Sequence, residues 1–387
     1  MSCLSVSLGG ILLSSTNEKQ LQEVEQLIIH GEFQEALSVI EEGLKQKKIS
    51  KEEELSFLVL KSEAILYLGN LKEALQLADR VLKESEGLDN FLIQLDALIP
   101  KSYSLFLTAR YNEGIQIAEK GLKLISAVTN LPAKDIARRK ARLLLWKARI
   151  IAQLGDFERN IEPAKEALSL AEESGYKNTV VNSLIVLGEV YEYLGESRKS
   201  KEFLEEALKN ASELGNKFYI AFSYLFLARI KQTRREYEQA IELYKRAFAL
   251  LDEIGSTLLY GLKNDMGNVY QSMYQLDEAL ECYQVAIKYS EWIKFITFAN
   301  IGLTYFFKYE LEHAQEYYLK SLKISEEIQD RRILPSVLFN LIQISIELRN
   351  LAQAKNHLER LEQINIETGF EHIGLFYRFA SQSKWKH

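Results

Sequence analysis

Residues 263–287, KNDMGNVYQSMYQLDEALECYQVAI, contain the pattern that decides the fold. Within it, Tyr274, Leu276 and Ala279 follow the order small or turn residue, x, aromatic residue or leucine, x, x, small residue. This order returns along the chain, and its nine copies end at Ala36, Ala74, Gly114, Asn160, Ser200, Ala240, Ala279, Ala314 and Ala354. Successive copies lie 35 to 46 residues apart and mostly near 40, which indicates a repeat array.

Two further landmarks keep register with this pattern. A small or apolar residue pair follows eight of the copies at a constant distance, as at Ala286 and Ile287. A small residue precedes seven copies at a constant distance, at Ser62, Ser102, Ala148, Gly188, Ala228, Gly267 and Gly302. Small side chains inside apolar helical patterns allow two helices to cross closely. The sequence therefore predicts an all-α solenoid, a superhelix of about nine antiparallel helix pairs.

The segments outside the regular array define the predicted domain limits. Residues 1–16 are expected to be a disordered N-terminal segment, and residues 17–365 the repeat solenoid. Residues 366–387 read as a C-terminal capping helix or the start of a further repeat, because a terminal repeat needs a cover for its outer face. The longest interval precedes Asn160, so any domain-like division is expected in the irregular stretch near 126–140.

Composition argues against several classes of partner. The 48 Lys and Arg against 54 Asp and Glu give a net charge of −6, which provides no whole-chain field for nucleic acid. No stretch has the length of apolar sequence that membrane insertion requires. Cys3 and Cys282 offer no disulfide framework, which favours a reducing, cytoplasmic setting. The oligomeric state stays open.

Motifs for catalysis or cofactor binding are not found in the sequence. The five histidines are scattered, and none lies in a zinc-binding spacing with a cysteine or a second histidine. Phosphate-loop and nucleophile-elbow motifs are absent, and paired glutamates are the usual content of solvated helix faces. The sequence thus predicts no enzyme, no cofactor and no metal site.

One basic stretch interrupts the mixed charge pattern on the first helix of repeat four. It consists of Arg138, Arg139, Lys140, Arg142, Lys147 and Arg149. A solvated helix face is the favoured interpretation, and the alternative is a surface for an acidic partner or a phosphate backbone.

The repeat residues resemble the tetratricopeptide repeat. Its first helix is matched by Leu184-x2-Leu187-Gly188-x2-Tyr191, and its second by Ala279-x3-Tyr283-x2-Ala286. The family repeat is about 34 residues long, so these longer copies resemble the variant of kinesin light chains and bacterial peptide-responsive regulators. The resemblance implies a scaffold or adaptor that binds a peptide or protein segment in a concave groove without catalysis. The alternative is a peptide-sensing regulator whose solenoid changes conformation.

The resemblance also implies which residues face the groove. In the family, side chains near the shared small residue of each first helix line it. Carried onto this chain, the partner-binding residues are Arg142, Arg149, Asn182, Glu189, Tyr193, Arg229, Asn264, Asn268 and Gln271. Repeats three and eight instead offer apolar residues there, including Tyr103, Phe106, Phe306 and Phe307. A partner helix, the chain's own C-terminal helix, or a shifted register are the open explanations.

Overall fold

A computed structural model describes residues 15–88, 90–127, 131–154, 156–289, 293–327 and 333–368. Within them the chain is all helical, with eighteen helices that form nine consecutive pairs. The predicted all-α solenoid of about nine helix pairs is therefore confirmed. The expected disordered segment, up to residue 14, and the predicted capping helix, from residue 369, lie outside the described residues. Helix α1 begins at Ser15, and α18 continues to Thr368.

The helices group into two compact units, which meet between Leu259 and Tyr260 in the sequence. Unit 1 contains α1 Ser15–His30, α2 Phe33–Leu44, α3 Lys51–Tyr67, α4 Leu71–Glu84, α5 Phe91–Leu107, α6 Tyr111–Ser126, α7 Ala133–Gln153, α8 Phe157–Ser174, α9 Lys177–Tyr193, α10 Ser197–Leu214, α11 Lys217–Thr233 and α12 Tyr237–Glu253. Unit 2 contains α13 Leu259–Ser272 except for its first residue, and α14 Leu276–Tyr289, α15 Lys294–Phe307, α16 Leu311–Glu327, α17 Leu334–Glu347 and α18 Leu351–Thr368. The unit boundary thus differs from the irregular stretch near 126–140, where α6 ends and the long helix α7 begins.

The first residue of the repeat pattern has one structural role, which is to close the first helix of each pair. Gly31, Gly69, Gly195 and five non-glycine residues at this position have φ between 58° and 90°. At Gly69 the next N–H donates back to the carbonyl oxygen of Ile65 at 3.0 Å, as in a Schellman closure. This left-handed turn explains why the sequence repeats a turn residue at that place.

The small residues of the pattern lie where paired helices cross, as predicted. A Cβ atom added at Gly267 would lie 2.5 Å from the ring of Tyr283, and one added at Gly302 would lie 2.9 Å from the ring of Tyr318. In repeat five, Gly188 has the same relation to Leu204, at 2.6 Å. The glycines therefore make room for the large side chain of the second helix.

Asn160 is the exception among the small residues that end the pattern. Its side chain is fully buried between α8 and its neighbours, at 0% exposure. Neither its Oδ1 nor its Nδ2 atom has a hydrogen-bond partner among the described residues. A buried amide without partners destabilises the folded state.

Replacing Asn160 with alanine, the residue found at six other copies, is expected to raise the free energy of unfolding by about 1 kcal/mol, because an unpaired buried amide is removed. Urea unfolding followed by circular dichroism measures the change. The half-exposed Asn210 on α10 provides the control, since Asn210→Ala is expected to change stability by less than about 0.5 kcal/mol. A loss of stability in Asn160→Ala would show that the amide has a partner or that the methyl group leaves a costly cavity.

Candidate functional site

The first helices of successive pairs in unit 1 share one face. Helices α5, α7, α9 and α11 contact one another in this order. The hydroxyl groups of Tyr67 on α3 and Tyr219 on α11 lie 3.1 Å apart, so first helices distant in sequence also face each other. We call this enclosed surface of unit 1 the inner face. It carries Arg142, Arg149, Asn182, Glu189 and Arg229.

Four of the predicted site residues come together on this face. Nη2 of Arg149 on α7 donates a hydrogen bond to Oδ1 of Asn182 on α9 at 2.8 Å. Glu189, two turns further along α9, interacts electrostatically with both Arg149 and Arg229. Both guanidinium groups also contact the ring of Phe226 on α11, with centroid distances of 5.6 Å for Arg149 and 5.1 Å for Arg229. The helices α7, α9 and α11 thus place two cations, one carboxyl group and one amide in a single cluster.

Burial dominates the electrostatics of this cluster. It raises the pKa of the Glu189 carboxyl, and the nearby Arg149 and Arg229 oppose that rise. It lowers the pKa of the Arg149 guanidinium, and the attraction of Glu189 only partly compensates. Both charged forms are therefore less stable here than in water, which is a feature common at functional sites.

The sixth predicted residue of unit 1, Tyr193, lies apart from the cluster. Its side chain is 63% exposed, and its ring stacks on Phe157 at the start of α8 with a centroid distance of 4.4 Å. The structure therefore places Tyr193 at the edge of repeat four and does not bring it to Arg149.

Three arginines of the basic stretch on α7 are paired with carboxylates of other first helices. Arg139 is 1% exposed and forms a bidentate ion pair with Asp96 on α5, with distances of 2.7 and 2.8 Å. Arg142 pairs with Glu63 on α3, and Arg138 with Glu25 on α1 at 3.3 Å. The solvated-face interpretation is therefore wrong for these three arginines, because the first helices of the three preceding repeats supply their counter-charges.

Tyr176 completes this ion-pair region. The guanidinium carbons of Arg138 and Arg142 each lie 5.4 Å from the centre of its ring. Burial raises the pKa of its hydroxyl to about 12. Arg142 therefore already has two partners from its own chain, which leaves it a structural role on the inner face.

The apolar residues of repeat three are covered by α7. Tyr103 stacks on Trp146 with a centroid distance of 3.9 Å, and Phe106 lies 6.1 Å from the same ring. An internal helix of the chain thus covers this surface, an explanation that the repeat pattern did not suggest.

The three predicted residues of unit 2 already have partners in their own unit. Oδ1 of Asn264 accepts hydrogen bonds from Thr297 and Asn300 on α15, both at 3.0 Å. Asn268 accepts one from the Tyr283 hydroxyl at 2.8 Å, and Nε2 of Gln271 donates to Thr304 at 2.7 Å. These amides bridge α13 to α14 and α15.

The apolar residues of repeat eight are partly covered. Leu303 and Phe306 pack against the core formed by α16 and α17. Phe307 is 43% exposed, and its ring lies 5.8 Å from that of Tyr274.

No helix in the described part of the chain is both long enough and apolar enough to cross a membrane. The same residues contain no group of three metal-ligating side chains.

Contacts between distant turns enclose the inner face, and the repeat pattern did not reveal them. Nδ2 of Asn216 donates to the carbonyl oxygen of Ile29 at 2.8 Å. The N–H of Thr257 donates to the carbonyl oxygen of Leu68 at 2.9 Å, beside Gly69. Repeats one and two are thereby joined to repeats five and six. The sequence identifies Gly31 and Gly69 as turn residues, but it does not reveal these contacts. Gly195 forms the same left-handed turn and has no such contact.

Family models match about half of the chain. The MalT-like TPR region matches residues 141–303, and the tetratricopeptide repeat matches residues 297–328. No curated protein sequence matches.

Three solved structures are similar in fold. A Rap protein in complex with competence and sporulation factor has a TM-score of 0.65 at 18% identity, over 92% of this chain and 99% of that one. The apo quorum sensor NprR from B. thuringiensis has 0.56 at 15% identity, over 90% and 98%. The Rap conjugation regulator of plasmid pLS20 with the Phr* peptide has 0.52 at 16% identity, over 92% and 99%.

Proposed function

Because the chain belongs to the tetratricopeptide-repeat family, we propose that it binds a peptide, or an extended segment of a partner protein, on the inner face of unit 1. It acts as a cytoplasmic interaction scaffold or adaptor and catalyses no reaction. Two of the structurally similar proteins are complexes, one with competence and sporulation factor and the other with the Phr* peptide, and the third is a quorum sensor. At 15 to 18% identity these relatives support the proposal by their fold only.

The cluster of Arg149, Asn182 and Glu189 is the observation that carries this proposal. Side chains from two first helices meet there in a buried setting, and Arg229 adds a charge from a third. A row of polar groups along successive first helices suits the backbone of an extended peptide, because amides both donate and accept hydrogen bonds. The amides of unit 2 are bound to α14 and α15, so we assign the peptide to unit 1.

Selection of a random peptide library on the wild-type chain tests this assignment. Peptides selected in this way are expected to bind the double variant Asn182→Ala/Arg229→Ala at least about tenfold more weakly, because two polar contacts are lost. The matched control is Arg198→Ala/Glu202→Ala, which removes an exposed ion pair on α10 and is expected to leave binding unchanged. Circular dichroism confirms that both variants are folded. Equal binding by all three chains would move the site away from the inner face.

A second candidate is a peptide-sensing regulator, and the contacts that enclose the inner face favour it. Tyr67 and Leu68 accept hydrogen bonds from Ser256 and Thr257, which lie about 190 residues away in the sequence. A ligand on the inner face has to fit within the surface that these hydrogen bonds enclose, or it has to break them. Fluorescent labels in repeats two and six distinguish the two candidates. A scaffold keeps the label distance constant when a selected peptide binds, and a regulator changes it.

A further inference from the structure

Two turns that close first helices in unit 2 carry large exposed side chains. Tyr274 and Tyr309 occupy the turn position with φ of 60° and 59°, and they are 73% and 72% exposed. A left-handed backbone is unfavourable for a bulky residue, and the same position is glycine at Gly31, Gly69 and Gly195. Two strained tyrosines with exposed rings therefore need an explanation beyond the closure of a helix.

The turns after α13, α15 and α17 form one edge of unit 2. The ring of Tyr274 lies 5.8 Å from that of Phe307, which is 43% exposed. Nζ of Lys308 donates to Oδ1 of Asp277 at 2.7 Å, which joins the turn after α15 to the start of α14. Leu351, which follows the next turn, is 69% exposed. We call this surface the turn edge, and its apolar members are Tyr274, Phe307, Tyr309 and Leu351.

The charges along the turn edge are mostly negative. Lys308 is already paired with Asp277 and Glu310, at 2.7 and 3.7 Å. Arg349 is the one further lysine or arginine in these three turns. Three more carboxylates are exposed and have no ion pair in the described part of the chain, namely Glu278, Glu312 and Glu347. A surface of this sign attracts a cationic partner.

Tyrosine rings elsewhere in unit 2 are covered by lysines of the same chain. Nζ of Lys320 lies 4.5 Å from the centre of the Tyr317 ring, and Nζ of Lys288 lies 4.9 Å from that of Tyr289. Among the described residues, no lysine or arginine lies over the three rings of the turn edge in this way. Exposed rings beside unpaired carboxylates attract a cation through the ring face and through charge together.

We propose that the turn edge binds a basic, arginine-containing segment of a partner protein. The planar guanidinium group suits this surface, because it stacks on aromatic rings and also pairs with carboxylates. The same kind of turn is a contact site in unit 1, where Asn216 lies against Gly31 and Thr257 against Gly69. This second surface goes beyond the peptide site on the inner face of unit 1. A chain with both surfaces joins two partners, as an adaptor does.

Two labelled peptides, one of repeating Arg-Gly-Ser and one of repeating Glu-Gly-Ser, test this inference on the full chain. Fluorescence anisotropy at physiological salt, where distant charges are screened, measures their binding. We expect the arginine peptide to bind at least about tenfold more tightly than the glutamate peptide. The variant Tyr274→Asn/Tyr309→Asn is expected to weaken its binding at least about fivefold, because two ring contacts are lost. Asparagine adopts the left-handed turn readily, so the helix closures are kept.

Matched variants separate the rings from the charges. Tyr274→Phe/Tyr309→Phe keeps both rings and is expected to keep the binding. Glu278→Gln/Glu312→Gln is expected to weaken it, whereas Glu172→Gln/Glu173→Gln, which changes two exposed carboxylates on α8, leaves it unchanged. Circular dichroism confirms that each variant is folded. Failure of the arginine peptide to bind, or equal binding by the wild type and the asparagine variant, would overturn the inference without affecting the inner face.

Two other occupants of the turn edge would give different results. A wild-type dimer in sedimentation that becomes monomeric in Tyr274→Asn/Tyr309→Asn would assign the edge to a second copy of the chain. Binding of the arginine peptide only after Lys384→Ala/Lys386→Ala would assign it to the basic C-terminal end of the same chain. Either result would overturn the assignment to a partner protein.

Discussion

Substituting Asp96 with leucine is expected to lower the free energy of unfolding of unit 1 by about 3 kcal/mol or more, because it leaves Arg139 buried without its counter-charge. Arg139 is 1% exposed and donates two hydrogen bonds to this carboxylate, at 2.7 and 2.8 Å. The carboxylate of Asp135, 3.9 Å away, offers only weak compensation.

The double variant Asp96→Leu/Arg139→Met provides the critical comparison. Replacing both partners of a buried ion pair with apolar residues is often neutral or stabilising, so most of the loss should be recovered. The surface control is Arg198→Met, whose side chain is 93% exposed, with an expected effect below about 0.5 kcal/mol. Urea unfolding and hydrogen exchange of α5 and α7 give the measurement. If Asp96→Leu alone were as stable as the wild type, the pair would not be buried in solution.

Replacing Gly69 with alanine is expected to cost about 2 to 3 kcal/mol and to weaken the closure of unit 1. Gly69 has φ of +90°, which an L-residue adopts only with strain. The added Cβ would lie 2.2 Å from Oγ1 of Thr257 and 3.1 Å from the backbone nitrogen of Leu258. The hydrogen bond from Thr257 N–H to Leu68 is therefore expected to break. Hydrogen exchange at Thr257 reports this loss directly.

Gly195 is a natural control for this experiment. It has φ of +77°, and nothing lies within 4 Å of the position of an added Cβ. Gly195→Ala should therefore show the backbone strain alone, about 1 kcal/mol. The difference between the two variants measures the contact between repeat two and the turn after α12. Equal effects of Gly69→Ala and Gly195→Ala would mean that the two turns do not touch in solution.

The fold could be predicted because its signals are local. The left-handed turn at Gly69 and the close crossing at Gly267 each depend on residues within one repeat. Each requires a particular type of residue, which recurs about every forty residues. The positions of Tyr283 and Tyr318 opposite glycines follow from the same spacing. Nine copies of one short pattern thus identify nine helix pairs without any knowledge of distant contacts.

The candidate site was only partly predictable. Arg149, Glu189 and Arg229 each directly follow the shared small residue of their first helix, and Asn182 lies two turns before Glu189 on the same face of α9, so repeat arithmetic brings them together. Their function as a binding surface stays a prediction, as it does for Tyr193 and the amides of unit 2. The counter-charges Glu63 and Asp96 occupy the same registers in repeats two and three, but repeat arithmetic does not tell which arginine of α7 each of them pairs with. They pair with α7 because of the way four first helices turn toward one another.

By itself the sequence determined the all-α class, the number and length of the repeats, and the face of each first helix that turns toward its neighbours. Only the tertiary structure decided which arginines on α7 are neutralised, which amides are occupied, and that distant turns meet at Gly31 and Gly69. The physical reason is the range of the interactions. Helix closure and helix crossing act over a few residues and repeat with the sequence, whereas small rotations between repeats accumulate along the array. Ion pairs across 43 to 113 residues depend on that accumulated geometry, so the period of the sequence does not identify their partners.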